Sequence, residues 1–404
     1  MGVSFIRSRR VYCVRRFSMR LLYSWPGDVG GSLHQRRPYP FRSRNPRIYV
    51  GESVSLRGLS EHRRRDQSGG AENERPGEPM RPFALDQGQS LAQTSDATRQ
   101  GSVVIAGGTT LVDLMKLDVM TPGRVIDINS LPLGGIAFGP NGLSIGAVER
   151  MADVAEHADV VKNYPVISQA LLKSASPQLR NMASIGGNLM QRTRCGYFRD
   201  VHVSCNKRVP GSGCPALDVE NRMHAILGTS DHCCATHPSD LAVALVALGA
   251  SILLQSDQGT REVKLEDFYL LPGTTPDKEH NLRPGELITR VQVPPLDWAR
   301  KSLYLKIRDR ASYEFALVSV AVALQLDGDV IHDARLAVGG VGTKPWSLPR
   351  VREAMIGQPL KRDTFEAAAK YAADGAKPLK NNAFKVTLLQ RTVVRAFMNL
   401  GGLV

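Results

Sequence analysis

Apolar and polar positions alternate in a readable way from Gly101 onward. Val103, Val104 and Ile105 form a short apolar run closed by Gly107-Gly108, which predicts a buried strand and a turn, followed by a helix starting near Thr110. Residues 124–131 and 143–150 read as two further strands. Residues 151–163 and 164–176 read as amphipathic helices, with Pro165 suited to a first helical turn. Residues 176–190 hold a second pair, Gly186-Gly187, expected to form another turn. A clear helix follows over 237–250, capped by Ser239 or Asp240, then a strand over 251–256 and another within 285–295 that ends at a Pro pair. From about 300 the pattern predicts three strands with a hairpin at Asp327-Gly328, then helices around 363–374 and 383–399. The 404 residues are enough for two or three domains, and 42% hydrophobic content supports ordinary cores. There is no apolar run of about 18 residues, the length a membrane helix needs, so no membrane association is expected.

Charge divides the chain unevenly. Residues 1–79 hold 16 Arg, no Lys and 7 acidic residues, a net charge of +9 out of +14 for the whole chain. This segment shows no sustained periodicity and no apolar stretch long enough for a targeting peptide. We expect it to be disordered, or an extension that arises from a start site assigned too far upstream of Met80. The remaining +5 is too small to point to nucleic acid, so no nucleic-acid partner is expected.

Cysteine usage changes the picture most. Five of the six cysteines fall between Cys195 and Cys234. A chain of this length has no need of disulfide staples. Structural zinc favours Cys pairs two to four residues apart, whereas nine, eight and eighteen residues separate Cys195, Cys205, Cys214 and Cys233. An iron–sulfur cluster wrapped by a long loop rich in Gly, Pro, Asn and Asp fits this spacing best. Arg194, Arg199, Lys207, Arg208 and Arg222 would offset the negative charge of such a cluster, or else simply form a solvated face.

The two Gly-Gly turns could bring backbone N–H groups to an anion, with Ser184 and Asn188 adding side-chain bonds. Neither is a G-x-G-x-x-G, so a Rossmann unit is not supported. Hydrolytic signatures are absent, and His224, His232 and His237 read as hydrogen-bonded loop residues.

Together, AGGT at 106–109, ASIGGN at 183–188, the segment 303–324 and the cysteine insert resemble the FAD-binding medium subunit of molybdenum hydroxylases, the xanthine dehydrogenase and carbon monoxide dehydrogenase family. The insert is similar to that of the aldehyde oxidoreductase branch, which carries an extra [4Fe-4S] cluster. The resemblance covers about 80–400. It implies an α+β architecture: a two-subdomain FAD-binding fold of the PCMH / vanillyl-alcohol-oxidase type (80–135 and 136–296, with the insert at about 191–236), then a C-terminal CO-dehydrogenase-flavoprotein-like α+β domain (297–404). It implies that FAD is held by Ile105, Ala106, Gly107, Gly108, Thr109, Thr110 and Leu111, and by Ser184, Ile185, Gly186, Gly187 and Asn188. It adds Asp240 as an acidic FAD contact, and Ile288 and Lys306 as residues lining the flavin ring. It makes Cys195, Cys205, Cys214 and Cys233 the cluster ligands, with Cys234 as an extra thiol competing for the fourth place.

The implied role is electron transfer, with no residue of this chain touching the substrate. Partners would be a large molybdopterin-binding subunit and a small [2Fe-2S] subunit, in a heterotrimer or a dimer of heterotrimers. Electrons would pass from the partner clusters through FAD to an external acceptor. The complex would assemble in the bacterial cytoplasm, with export on a partner's signal left open. A stand-alone flavoprotein oxidoreductase with a structural metal site is the alternative.

Overall fold

The computed structural model describes residues 80–403. The expectation for 1–79 lies outside the described residues. Three sheets organise the rest. The first is parallel: β1 (Ala84–Gln87) and β2 (Val103–Ile105) flank β3 (Arg124–Asp127). Parallel neighbours need crossovers, and the helices Leu91–Arg99 and Leu111–Lys116 supply them. Ser90 caps the first helix, accepting from the Gln93 N–H at 3.2 Å.

The second sheet is antiparallel. It contains β4 (Ile136–Gly139), β5 (Gly142–Gly146), β6 (Ser251–Ser256), β7 (Gly259–Lys264) and β8 (Leu287–Val293), in the order β4-β5-β8-β6-β7. Helices Met151–Glu156, Ala158–Asn163 and Pro165–Leu172 pack on it with the helix Asp240–Ala247, which is buried along its whole length. The expected single helix over 151–163 is two helices meeting at His157, whose backbone is extended.

The third sheet contains β9 (Ser302–Ile307), β10 (Val318–Asp327), β11 (Val330–Gly339) and β12 (Trp346–Ser347). The hairpin falls where the sequence placed it, with Asp327 opposite Val330 and Gly328 at φ +56°, in the left-handed region that favours glycine. β10 shows why this sheet is buried on both faces. Val318, Val320, Val322 and Leu324 point to the C-terminal helices Pro349–Met355, Arg362–Ala369 and Phe384–Gly401. Ala321, on the alternate face, joins the core formed with the helix Asp240–Ala247. Gly339 completes the close approach, because a Cβ there would lie 2.6 Å from Val243 Cγ2. Among the described residues no helix is long and apolar enough to cross a membrane.

Residues 190–236 leave this frame as a long insert. It is tied back to the third sheet, where the N–H groups of Ile226 and Leu227 both donate to Val341 O (2.8 and 2.9 Å). It is also tied to the C-terminal helix. Asn382 Nδ2 donates to His224 O and Ala225 O at 3.2 Å each, and the fully buried Lys385 donates from Nζ to His224 O (3.0 Å) and Gly340 O (2.7 Å).

Candidate functional site

β2 ends at Ile105, and the chain turns through Ala106, Gly107 and Gly108 into a helix whose N-cap position is Thr110. A ligand of an open α/β sheet sits at the carboxyl ends of its strands, which is where this turn lies. Gly107 cannot carry a side chain, because a Cβ would lie 2.0 Å from Met182 O. Gly108 has φ +71°. The opposite wall is the short helix Ile185–Leu189. The second Gly-Gly pair is therefore the first turn of a helix rather than a loop turn. Its Ile185 and Gly186 N–H groups donate to Glu149 O (2.9 Å) and Ala147 O (2.7 Å), and Ser184 Oγ accepts from Gly187.

Between these walls lies a cleft of 670 Å³. Ile105, Ala106, Gly107, Gly108, Thr109, Thr110, Leu111, Ser184 and Gly187 line it; Ile185, Gly186 and Asn188 do not. Asn188 accepts from Ser239 Oγ at 2.6 Å. Ser239 is the cap of the helix Asp240–Ala247, accepting from the Ala242 N–H at 3.0 Å. Asp240 does other work. It accepts from Tyr304 Oη (2.6 Å), Ser174 Oγ (2.8 Å) and Lys306 Nζ (2.7 Å) in a buried ion pair. Asp240 and Lys306 thus meet each other, while Ile288 lies in the core opposite Leu254; these three do not line the cleft.

The cleft also includes His237, read above as a hydrogen-bonded loop residue, and Tyr269 and Glu279, which the sequence did not single out. Tyr269 donates to Leu189 O (3.1 Å) and meets the His237 ring edge-on at 4.4 Å. His237 Nδ1 accepts from the Ser239 N–H, which leaves the proton on Nε2. That buried donor has no partner in the protein. Burial pulls the His237 pKa down to about 3, so the ring stays neutral. An orphaned buried donor asks for a ligand acceptor. With the polar Thr109, Thr110 and Ser184 also on its walls, it makes the cleft suited to a polar, elongated cofactor. Glu279, which also lines the cleft, is desolvated, yet Lys207 and Arg192 hold its carboxyl below the usual range.

A second, small cavity lies beside the cleft. Cys195, Cys205, Cys214 and Cys233 line it, with Lys207, Ala235 and His224. All four thiols are free, as is Cys234, which is fully buried but is not on that wall. Among the described residues, no three His, Cys, Asp or Glu side chains converge closely enough to hold one metal ion; the thiols stand around the cavity instead. His224 Nε2 lies 3.2 Å from Cys195 Sγ, and the Ala235 N–H points to Cys233 Sγ at 3.5 Å. Cys214 and Cys234 share a hydrogen bond that lowers the Cys214 pKa to about 7 and raises that of Cys234. Burial pushes the Cys195 thiol up to about 12.

Most of the insert's cations are staples rather than a solvated face; the Arg222 pair is exposed. Arg194 and Arg199 both bond Asp113, at 2.7 and 2.8 Å, on the helix that leaves the first Gly-Gly turn. Arg208 donates to Tyr197 O and Phe198 O (2.9 and 2.7 Å), and Arg222 pairs with Asp309 (2.8 Å). Lys207 alone among these five lines the cysteine cavity.

A parallel strand–turn–helix unit beside an antiparallel sheet, with a third sheet behind, defines a two-part cofactor-binding domain followed by a smaller α+β domain. Two family models match the chain. The family described as "FAD binding domain in molybdopterin dehydrogenase" matches residues 78–296, and "CO dehydrogenase flavoprotein C-terminal domain" matches 303–400. The chain belongs to the FAD-binding medium subunits of the molybdenum hydroxylase family. It is 46% identical over 320 residues to the aldehyde oxidoreductase FAD-binding subunit PaoB of Escherichia coli (strain K12), covering 78% of this chain and 96% of that one. It is 31% identical over 300 residues to the glyceraldehyde dehydrogenase medium chain of Sulfolobus acidocaldarius, covering 74% and 88%. The fold matches carbon monoxide dehydrogenase from Hydrogenophaga pseudoflava with a TM-score of 0.62, at 21% identity, over 80% of this chain and 99% of that chain. These relatives are oxidoreductase subunits, as is this chain.

Proposed function

We propose that this chain is the FAD- and [4Fe-4S]-containing electron-transfer subunit of a molybdenum-dependent aldehyde oxidoreductase-type complex. One observation carries the reading: four free thiols surround one cavity whose wall is also a wall of the glycine-lined cleft. Residues 105–111 and Ser184–Asn188 would hold FAD, with Asp240, Ile288 and Lys306 supporting the floor behind it. Bound flavin supplies exchange of one or two electrons. His237 would hold a neutral N–H toward the cofactor, and the buried Asp240–Lys306 pair would tie β9 to the helix Asp240–Ala247, which begins three residues after His237.

Cys195, Cys205, Cys214 and Cys233 would ligate the cluster. Ligands on separate corners of a polynuclear cluster are spread more widely than tetrahedral zinc allows at about 2.3 Å per Zn–S bond. Cys234, which bonds Cys214 but does not line the cavity, would be the spare thiol. Substrate oxidation would belong to a large molybdopterin-binding partner, and a small [2Fe-2S] partner would deliver electrons to this subunit, in a heterotrimer or a dimer of heterotrimers. Electrons would leave through FAD to an external acceptor. The parts are read as 80–135 and 136–296 for FAD, with the insert at about 191–236, and 297–404 as the C-terminal domain.

The test is to assay FAD, iron, sulfide and zinc on one purified sample and record its visible spectrum. Flavin bands with about four iron and four sulfide per chain are expected. Zinc in place of iron would turn the reading to a flavoprotein with a structural metal site. Cys233→Ser should lose iron while Cys234→Ser keeps it; the reverse would move the fourth ligand to Cys234.

A further inference from the structure

Lys207 stands where the two cavities meet. It lines both the cleft and the cysteine cavity, as do only Cys233 and Ala235 among the described residues. Its side chain is 11% exposed, and Nζ donates to Glu279 Oε1 (3.0 Å) and to Pro276 O (2.9 Å). Glu279 also takes Arg192, whose guanidinium lies over the Phe198 ring at 4.6 Å. Two cations therefore share one carboxylate, which leaves a net positive charge fixed in a poorly solvated partition. Arg194, Arg199, Arg208 and Arg222 are committed to Asp113, backbone carbonyls and Asp309, and none of them lines either cavity. A fixed cation favours whichever oxidation state carries more negative charge, and low local dielectric magnifies the effect.

We propose that Lys207 is a positioning residue shared by both redox sites, whose ammonium raises the electron affinity of the cleft and of the cysteine cavity together. This rests on the reading that the cleft binds FAD and the thiols a cluster. Glu279 opposes it, so the trio Arg192–Glu279–Lys207 sets the two potentials as a unit rather than one at a time. No other residue of the insert can do so, because no other cation touches both walls.

The experiment is potentiometry of the full-length, cofactor-loaded protein, followed optically for flavin and by low-temperature EPR for the cluster. Lys207→Gln should lower both midpoint potentials with flavin and iron content retained, and Lys207→Arg should restore them. Glu279→Gln should raise both. A residue that only supported the fold would not produce shifts of opposite sign from the two partners of one ion pair. With content retained, a Lys207→Gln protein in which neither potential moves, or only one does, overturns the proposal. Should Lys207→Gln fail to load, Glu279→Gln decides: anything other than a rise at both sites overturns it. Wild-type protein that holds no iron would instead defeat the cluster reading, and that result is separate because it appears before any substitution.

Discussion

At the scale of single residues, Gly107 closes the turn of the cleft and Asp240 anchors a buried ion pair. A methyl group at position 107 would lie 2.0 Å from the Met182 carbonyl oxygen, so the strand–turn–helix unit cannot close around it. Gly107→Ala should cost about 1–3 kcal/mol of overpacking and sharply reduce FAD content, both measured on one preparation by thermal unfolding and flavin release. Asp240→Asn leaves the Lys306 ammonium buried without its anion, since the two side chains are 7% and 2% exposed. Removing one partner of a buried pair costs about 3–5 kcal/mol; denaturant midpoints should fall accordingly. An unchanged midpoint would mean that water reaches the pair. The turn at Gly107 and Gly108 is legible from a Gly pair that closes an apolar run, whereas a cofactor role for it rests on the resemblance. The Asp240–Lys306 contact was not legible, because nothing local links positions 66 residues apart, and position alone suggested a cap that Ser239 provides instead.

At the scale of elements, the insert is positioned by its neighbours more than by itself. Asp113, on the helix after the first Gly-Gly turn, receives both Arg194 and Arg199. Desolvation opposes its ionisation, but the two guanidinium groups hold its pKa below the ordinary value. Asp113→Ala should free one end of the insert, seen as faster proteolysis within 191–236 and faster loss of iron, with the C-terminal sheet unaffected. Strong periodicity made β2, β6, β8 and the 327–328 hairpin readable in advance. β7 and the helix Pro349–Met355 were not read as such, since GTREVK is polar and exposed on alternate positions and its partner strand alone gives it shape. From sequence Gly186-Gly187 reads as a turn, since glycine disfavours helix; the Ser184 cap and the bonds to Ala147 and Glu149 override that preference.

At the scale of the molecule, Lys385 joins the C-terminal domain to the insert. Burial, with Arg222 next, pulls its pKa down to about 7, and the two carbonyls it meets match the two N–H donors of a neutral amine. In the unfolded chain the same amine titrates near 10.4. Between these values the unfolded chain binds more protons, so this residue's contribution to stability rises with pH from about 7 to about 10 and is flat below. Urea unfolding of wild type and Lys385→Met across that window should show the wild type gaining on the variant. Parallel curves would place a charged lysine there.

The same attachment sets an order in time. Chains leave the ribosome from the N-terminus, so the thiols at 195–233 emerge well before Asn382 and Lys385, whose bonds to the carbonyls of His224 and Ala225 fix the far side of their cavity. A nascent chain therefore presents these thiols to whatever oxidant surrounds it before the wall that shelters them exists. Until residues 382–385 have been made, the carbonyls of His224 and Ala225 lack the side-chain partners that fix that wall.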